Sequence, residues 1–250
     1  MNQAYGFGRF NILPPVVKNL LIINGLAFLA SVVITERFGL NVFNLLGLHY
    51  WTSEAFSPYQ IFTHLFIHAN FEHIFFNMFS LWMFGAVIEN YWGGKRFLTY
   101  YLITGLGAAI VYNFSKSIDI HMISTHLNPD QIALVKSEGY SIWQKQMNYT
   151  DHYMAALNEA INEPSVGASG AVYGILLAFG MIFPNSLIYL YFLVPIKAKY
   201  LIIGFIVLEL SLGLMNKPTD HIAHFAHLGG MIFGYLLIKY WNKTNRQSLF

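Results

Sequence analysis

The chain has 250 residues, a formal net charge of +2 and no cysteine, which excludes a disulfide framework, a thiolate nucleophile and a cysteine-bound zinc, and gives no electrostatic reason for a nucleic-acid partner. Charged residues make up 10% and hydrophobic residues 56%, against roughly 25% and 45–50% in soluble domains. That composition belongs in lipid, and the Phe, Tyr and Trp side chains crowd the ends of apolar runs, where amphipathic rings favour the headgroup layer.

Six apolar segments approach the roughly 20 residues needed to cross a bilayer: 17–35, 71–92, 97–114, 166–183, 199–215 and 222–241. The first follows a single positive charge, Arg9, and no small-residue cleavage site succeeds it, so it reads as an anchor rather than a removed signal. The expected fold is an all-α membrane protein, a six-transmembrane-helix bundle in one domain, 1–250. Arg9, Lys18, Lys95, Arg96, Lys197 and Lys239 fall on one side of such a bundle, which the positive-inside rule makes cytoplasmic, together with both termini. Glu89 is the one acid there and is expected to cap the cytoplasmic end of the second span.

Between the third and fourth spans, residues 115–165 are polar and acidic and form an extracytoplasmic insertion. Asn128-Pro129 reads as an N-cap followed by proline at the first helical position, and Thr150-Asp151 opens a second helix reaching about Ile161. Both are expected as short amphipathic helices on the outer leaflet, more simply a cover over the helix ends than a lid. Pro184 and Pro195 bracket 185–194, an interfacial connection on the cytoplasmic side.

Polar groups inside membrane spans are costly and tend to be functional. Three clusters stand at the outer ends of spans two, four and six: His64, His68, His73 and Asn77; Gly167-Ala168-Ser169-Gly170; and His221, His224 and His227. Gly170 with Gly174, and Gly230 with Gly234, form small-residue faces that let two helices approach closely. Packing those faces brings the Ser169 hydroxyl beside the His227 imidazole, a nucleophile with its base. Ser169 also opens a helix, whose free N–H groups favour an anion. His73 and Asn77, four apart on one helical face, add donors for an oxyanion, and Tyr173, four after Ser169, is placed to pack on the imidazole. Glu209 within span five is expected as a buried, hydrogen-bonded or protonated side chain.

The run Gly167-Ala168-Ser169-Gly170-Ala171-Val172-Tyr173-Gly174, with Ala226-His227-Leu228-Gly229-Gly230, resembles the rhomboid intramembrane serine protease family. His64-Leu65-Phe66-Ile67-His68 followed by His73-Ile74-Phe75-Phe76-Asn77 is similar to that family's second-helix pattern. The resemblance implies Ser169 as nucleophile and His227 as general base in a dyad without a carboxylate. It also implies an oxyanion hole of His73, Asn77 and the Ser169 backbone N–H, supported by Gly167, Gly170, Tyr173 and Gly230. Transmembrane protein substrates in the bilayer would be its partners, with no metal or cofactor. Two departures stand out: Tyr59-Gln60 occupies the first outer loop where many bacterial members carry Trp-Arg, and the polar segment before span four is long. Two rival readings are an inactive rhomboid-like protein that binds membrane clients, and a histidine-ligated metal or haem protein built on His64/His68 and His224/His227 spacings. The compact organisation suggests a bacterial cytoplasmic membrane.

Overall fold

Each of the six apolar segments contains a helix in the computed structural model, which describes residues 10–190, 193–215 and 223–244. Helix α1 (Pro15–Phe38) opens on a proline at its first position and closes on Gly39, whose φ of 66° suits a residue without a Cβ. The first loop carries α2 (Val42–Leu46) and α3 (Gln60–Thr63), the latter tightening into a 3₁₀ turn, His64–Phe66. Helix α4 (Phe71–Ser80) continues through a π-helical turn, Leu81–Gly85, into α5 (Ala86–Trp92). Then come α6 (Gly94–Ser124), α7 (Pro129–Gln144), α8 (His152–Asn162) and α9 (Ser169–Ile182). A two-stranded antiparallel hairpin, β1 (Leu187–Leu190) and β2 (Val194–Lys197), leads to α10 (Ala198–Met215) and α11 (His224–Thr244).

Among the described residues, α1, the α4–α5 continuum, α6 and α10 are long and apolar enough to cross a membrane. Helix α9 is shorter, at 14 residues, and lies innermost, with ten of its residues buried, enclosed above all by α6 and α11. Ile22, Leu26 and Leu29 of α1, Phe75 and Phe79 of α4, and Ile203 and Val207 of α10 are instead exposed. An apolar exterior around a close-packed centre is the arrangement lipid solvation requires. The arrangement is that of a predominantly helical membrane protein, and the connection expected at 185–194 contains β1 and the first residue of β2.

The third helix runs past its expected end at 114 to Ser124, so the first ten residues of the polar segment extend α6. Its lower half packs in the bundle, while its upper half carries Ile120 and Ile123 against a small separate core of Val135, Met154, Leu157 and Ile161 from α7 and α8. Both expected helix starts are present. Asn128 and Gln131 form a reciprocal capping box, and the Asp151 side chain accepts from the Met154 N–H. A buried amide ladder then joins this cap to the first loop: Asn158 donates to Asn148 (3.0 Å), Asn162 donates to Asn158 (2.8 Å), and Ser53 donates to Asn162 (2.9 Å). Gly139 leaves room for it, since a Cβ there would stand 2.3 Å from the Asn158 amide oxygen. Gly139→Ala is therefore expected to break the ladder and lower stability by about 1–3 kcal/mol. The measurement is protease nicking of the α7–α8 cap in detergent, which should accelerate while the transmembrane core stays resistant.

Glu89 does not cap its own helix. Its two carboxylate oxygens accept the Val16 and Val17 N–H groups at 2.9 and 2.7 Å, capping the start of α1 across the bundle. A negative group at a helix N-terminus satisfies orphan donors and complements the dipole, and Glu89, at 3% exposure, is shielded from water. Glu89→Ala should cost about 1–3 kcal/mol through the two uncompensated N–H groups, read as a fall in the thermal unfolding temperature of the purified protein.

Candidate active site

Ser169 is set by the chain just before it. Leu48 and Ser165 pair through two backbone hydrogen bonds, and the Gly167 N–H donates to the His64 carbonyl at 2.9 Å, so the first loop clamps the entry to α9. Gly167 then turns with a φ of 126°, a conformation side chains rarely adopt, and a Cβ there would sit 2.7 Å from His73 Nε2. Ala168 supplies no side-chain cap to α9, which leaves the helix's first N–H groups open to whatever lies beside Ser169. Fourteen residues rise about 21 Å, less than the roughly 30 Å hydrocarbon core, so the two ends of this helix cannot both reach the membrane surfaces. A narrow cleft lined by Leu48, His64, Gly167, Ser169, Gly170 and Ala226 opens at its N-terminus.

His227 reaches Ser169 because α9 and α11 touch through glycine. A Cβ on Gly230 would stand 1.9 Å from the Gly170 carbonyl oxygen. With nothing between the backbones, His227 Nε2 lies 2.9 Å from Ser169 Oγ. The Tyr173 ring stacks on the imidazole, centroids 4.1 Å apart and planes 3° from parallel. The other three glycines of the expected faces make room for a different neighbour, α6, beginning with Gly170, where a Cβ would stand 2.3 Å from the Ala108 Cβ. Gly174 makes room for Thr104, and Gly234 makes room for Tyr100, whose hydroxyl donates to the Gly174 carbonyl at 2.8 Å. Helix α6 thus packs into both glycine faces beside the α9–α11 contact.

His73 faces the same point from α4. Its Nδ1 lies 3.4 Å from the Ala69 N–H; accepting that hydrogen leaves the ring proton on Nε2, toward Gly167. Asn77, one turn further on and buried, donates one amide hydrogen to the His73 carbonyl at 2.9 Å. His64 Nδ1 is bound to the Gln60 carbonyl at 2.8 Å, and burial pushes the ring down to about 4. Burial, with His73 nearby, pushes His68 down to about 3. These two remain neutral packing groups of the first loop, and His221 lies outside the described residues. Gln60, part of the Tyr59-Gln60 departure in the first loop, is the hub of that loop: its oxygen accepts from the Ser57 N–H at 3.1 Å and its amide donates to the Ala55 carbonyl at 2.9 Å.

A sequence model of the family described as "Rhomboid domain" matches residues 55–122 and 133–243. The chain belongs to the rhomboid family. It is 26% identical over 215 residues to "RHOMBOID-like protein 12, mitochondrial" of Arabidopsis thaliana, covering 86% of this chain and 55% of the relative. To "Rhomboid protease AarA" of Providencia stuartii it is 28% identical over 210 residues, 80% of this chain and 59% of the relative. "Rhomboid protein 1, mitochondrial" of Saccharomyces cerevisiae matches at 26% over 180 residues, 72% and 40% respectively. The chain spans about half the length of such curated relatives. The gap in the family match, 123–132, falls at the junction of α6 with α7, where the cap begins.

One constellation of this rhomboid chain was not legible in its motifs. Glu209 of α10, at 4% exposure, accepts the Tyr173 hydroxyl on Oε1 in a short hydrogen bond, and its Oε2 lies 2.6 Å from His224 Nδ1. The same oxygen is 3.0 Å from His227 Nδ1, off the line of that N–H. The sequence points to a buried, hydrogen-bonded or protonated Glu209 and to His224 as a structural hydrogen-bonder or loop residue, but not to their pairing. The one available signal was the scarcity of acids in apolar spans. Glu209, His224 and His227 offer ligand atoms within 4.8 Å of one another, close enough for a divalent ion, although each imidazole Nδ1 already faces the carboxylate.

Proposed function

We propose that this chain is an intramembrane serine endopeptidase in which Ser169 attacks the peptide carbonyl and His227 takes its proton. The observation that carries the reading is the 2.9 Å contact between His227 Nε2 and Ser169 Oγ, formed by residues 58 positions apart on two helices whose backbones approach most closely at Gly170 and Gly230. A serine hydroxyl is a weak nucleophile until a base within hydrogen-bond reach accepts its proton. His73 Nε2–H, the second amide hydrogen of Asn77 and the Ser169 backbone N–H are the donors proposed for the tetrahedral oxyanion. The imidazolium then gives its proton to the leaving amine, and water entering the cleft hydrolyses the acyl-enzyme. Family membership supports this reading, since one relative is named a protease.

The substrates proposed are transmembrane segments that enter sideways and unwind near the cleft, since an intact helix shields its carbonyls. The proposed topology has six spans, counting the short α9 and the histidine-bearing α11, with both termini cytoplasmic and the α7–α8 cap on the opposite side of one domain. The basic residues gathered at the far end from Ser169, among them Lys95, Arg96, Lys239 and Lys243, support that orientation. Relatives with mitochondrial and with bacterial names both match, so a bacterial cytoplasmic membrane does not follow from the family. The integral-membrane character does.

The test is reconstitution of purified protein with a single-span substrate whose helix carries glycine or other helix-breaking residues. Native protein should cleave it and take up a fluorophosphonate on Ser169. Ser169→Ala and His227→Ala should do neither. Equal cleavage by all three would sink the dyad. Cleavage by none, without labelling of the native chain, would favour a binding relative of the family.

A further inference from the structure

We infer that Glu209 is the third member of this site, a positioning residue that holds the base in its working tautomer and offsets the charge it acquires. The inference rests on the dyad reading and goes beyond it, since that reading needs no carboxylate.

The two imidazole nitrogens of His227 face different groups: Nε2 faces Ser169 Oγ at 2.9 Å and Nδ1 faces Glu209 Oε2 at 3.0 Å. For Nε2 to accept a proton, the ring hydrogen of the neutral imidazole must sit on Nδ1, and a carboxylate oxygen opposite Nδ1 selects that tautomer. During attack the Ser169 proton moves from Oγ to Nε2. The Nδ1 proton stays where it is, and the positive charge now on the ring lies against the Glu209 carboxylate. Nε2–H then protonates the leaving nitrogen, restoring the starting tautomer. Glu209 neither gains nor loses a proton in the cycle.

Three further observations suit Glu209 to this task. Its oxygens are fixed from the other side, Oε1 by the Tyr173 hydroxyl and Oε2 by His224 Nδ1, and an ionised carboxylate is the acceptor-only partner such donors require. Tyr173 is therefore bifunctional, stacking its ring on His227 while its hydroxyl anchors the group behind that ring. The carboxylate is also almost out of contact with water, where a charge compensates a neighbouring charge most strongly. Among the described residues, the titratable groups around the imidazole are Glu209 from α10, His224 from its own helix, Tyr173 from α9 and His73 from α4. Glu209 is the acid among them. The off-line approach of the Nδ1–H is of the kind that tightens once substrate fills a site.

The test is kinetic, on the full chain in detergent or liposomes after chelator treatment, with rates normalised to the folded fraction. Glu209→Gln keeps the shape and removes the charge. It is expected to lower kcat by at least about tenfold, less than the roughly 10²–10⁴-fold of a group that itself transfers the proton, with KM within about twofold and the fluorophosphonate labelling rate falling in parallel. Glu209→Asp keeps the charge on a shorter stem and should regain part of the lost kcat. A purely structural role would lower the folded fraction of both variants and leave normalised kcat unchanged, which would overturn the inference. So would Asp performing no better than Gln, or native activity that disappears on chelation, which would assign the three side chains to a metal. Ser169→Ala run beside them separates the two readings: cleavage surviving there defeats the dyad, whereas an inert Ser169→Ala beside an unaffected Glu209→Gln defeats only the positioning role of Glu209.

Discussion

Gly230→Ala is expected to abolish cleavage without touching any group that reacts. The added methyl would lie 1.9 Å from the Gly170 carbonyl oxygen and 2.7 Å from its carbon. Neither atom can step aside as the end of a side chain would, because both belong to the α9 backbone one residue after the serine. Relief requires the two helices to separate by about 1 Å or more, and overpacking of this kind costs about 1–3 kcal/mol where the core can adjust at all. The Ser169–His227 contact, at 2.9 Å, has no slack for that displacement, since hydrogen bonds between such groups fade beyond roughly 3.2 Å. Fluorophosphonate labelling should fall with cleavage, and the unfolding temperature should drop. The control is Gly204→Ala on the outward face of α10, where nothing lies within 4 Å of the new Cβ. That change should leave activity intact and stabilise the helix by up to about 1 kcal/mol, the propensity difference between the two residues. Native labelling in Gly230→Ala would mean that the α9–α11 contact does not set the geometry of the site.

The second large effect concerns Ser169 and His227 together. Each alanine variant should lower kcat on the order of 10⁴-fold or more, and the double variant should be no worse than either single one. Groups that act as one unit lose their whole contribution when either is removed. Residual cleavage would measure what the oxyanion donors and substrate binding supply by themselves. Independent, multiplicative losses would contradict a shared proton-transfer step. Ser169→Ala should keep the native unfolding temperature, whereas His227→Ala should lower it somewhat by removing the ring stacked on Tyr173, so its rates are normalised to the folded fraction.

Much of this architecture could be read along the chain because its signals are local. Apolar runs place α1, α4–α5, α6 and α10, and Asn128, Pro129 and Asp151 announce the cap helices through side-chain bonds only three residues long. The Ser169 and His227 clusters were legible as polar groups in an apolar background, and their pairing as two glycine faces. The glycine argument holds at Gly230, which meets the Gly170 backbone, whereas the space at Gly170 itself is taken by Ala108 of α6. It missed that Thr104 and Tyr100 of α6 fill the space at Gly174 and Gly234, since a glycine marks a close approach without naming what approaches.

What the sequence determined by itself was therefore the membrane character, the helices and the residue types at the site. Hydrophobicity, capping and helix periodicity act over one or two turns and leave their mark in neighbouring residues. Tertiary structure alone decided which long-range partner each buried polar group found. Glu89 reaches past its own helix to the start of α1, Gln60 gathers the first loop, and Glu209 meets Tyr173, His224 and His227. None of these pairings has a period or a spacing. In an interior that excludes water, a buried carboxylate is stable only where donors converge on it, and where they converge is fixed by the packing of whole helices.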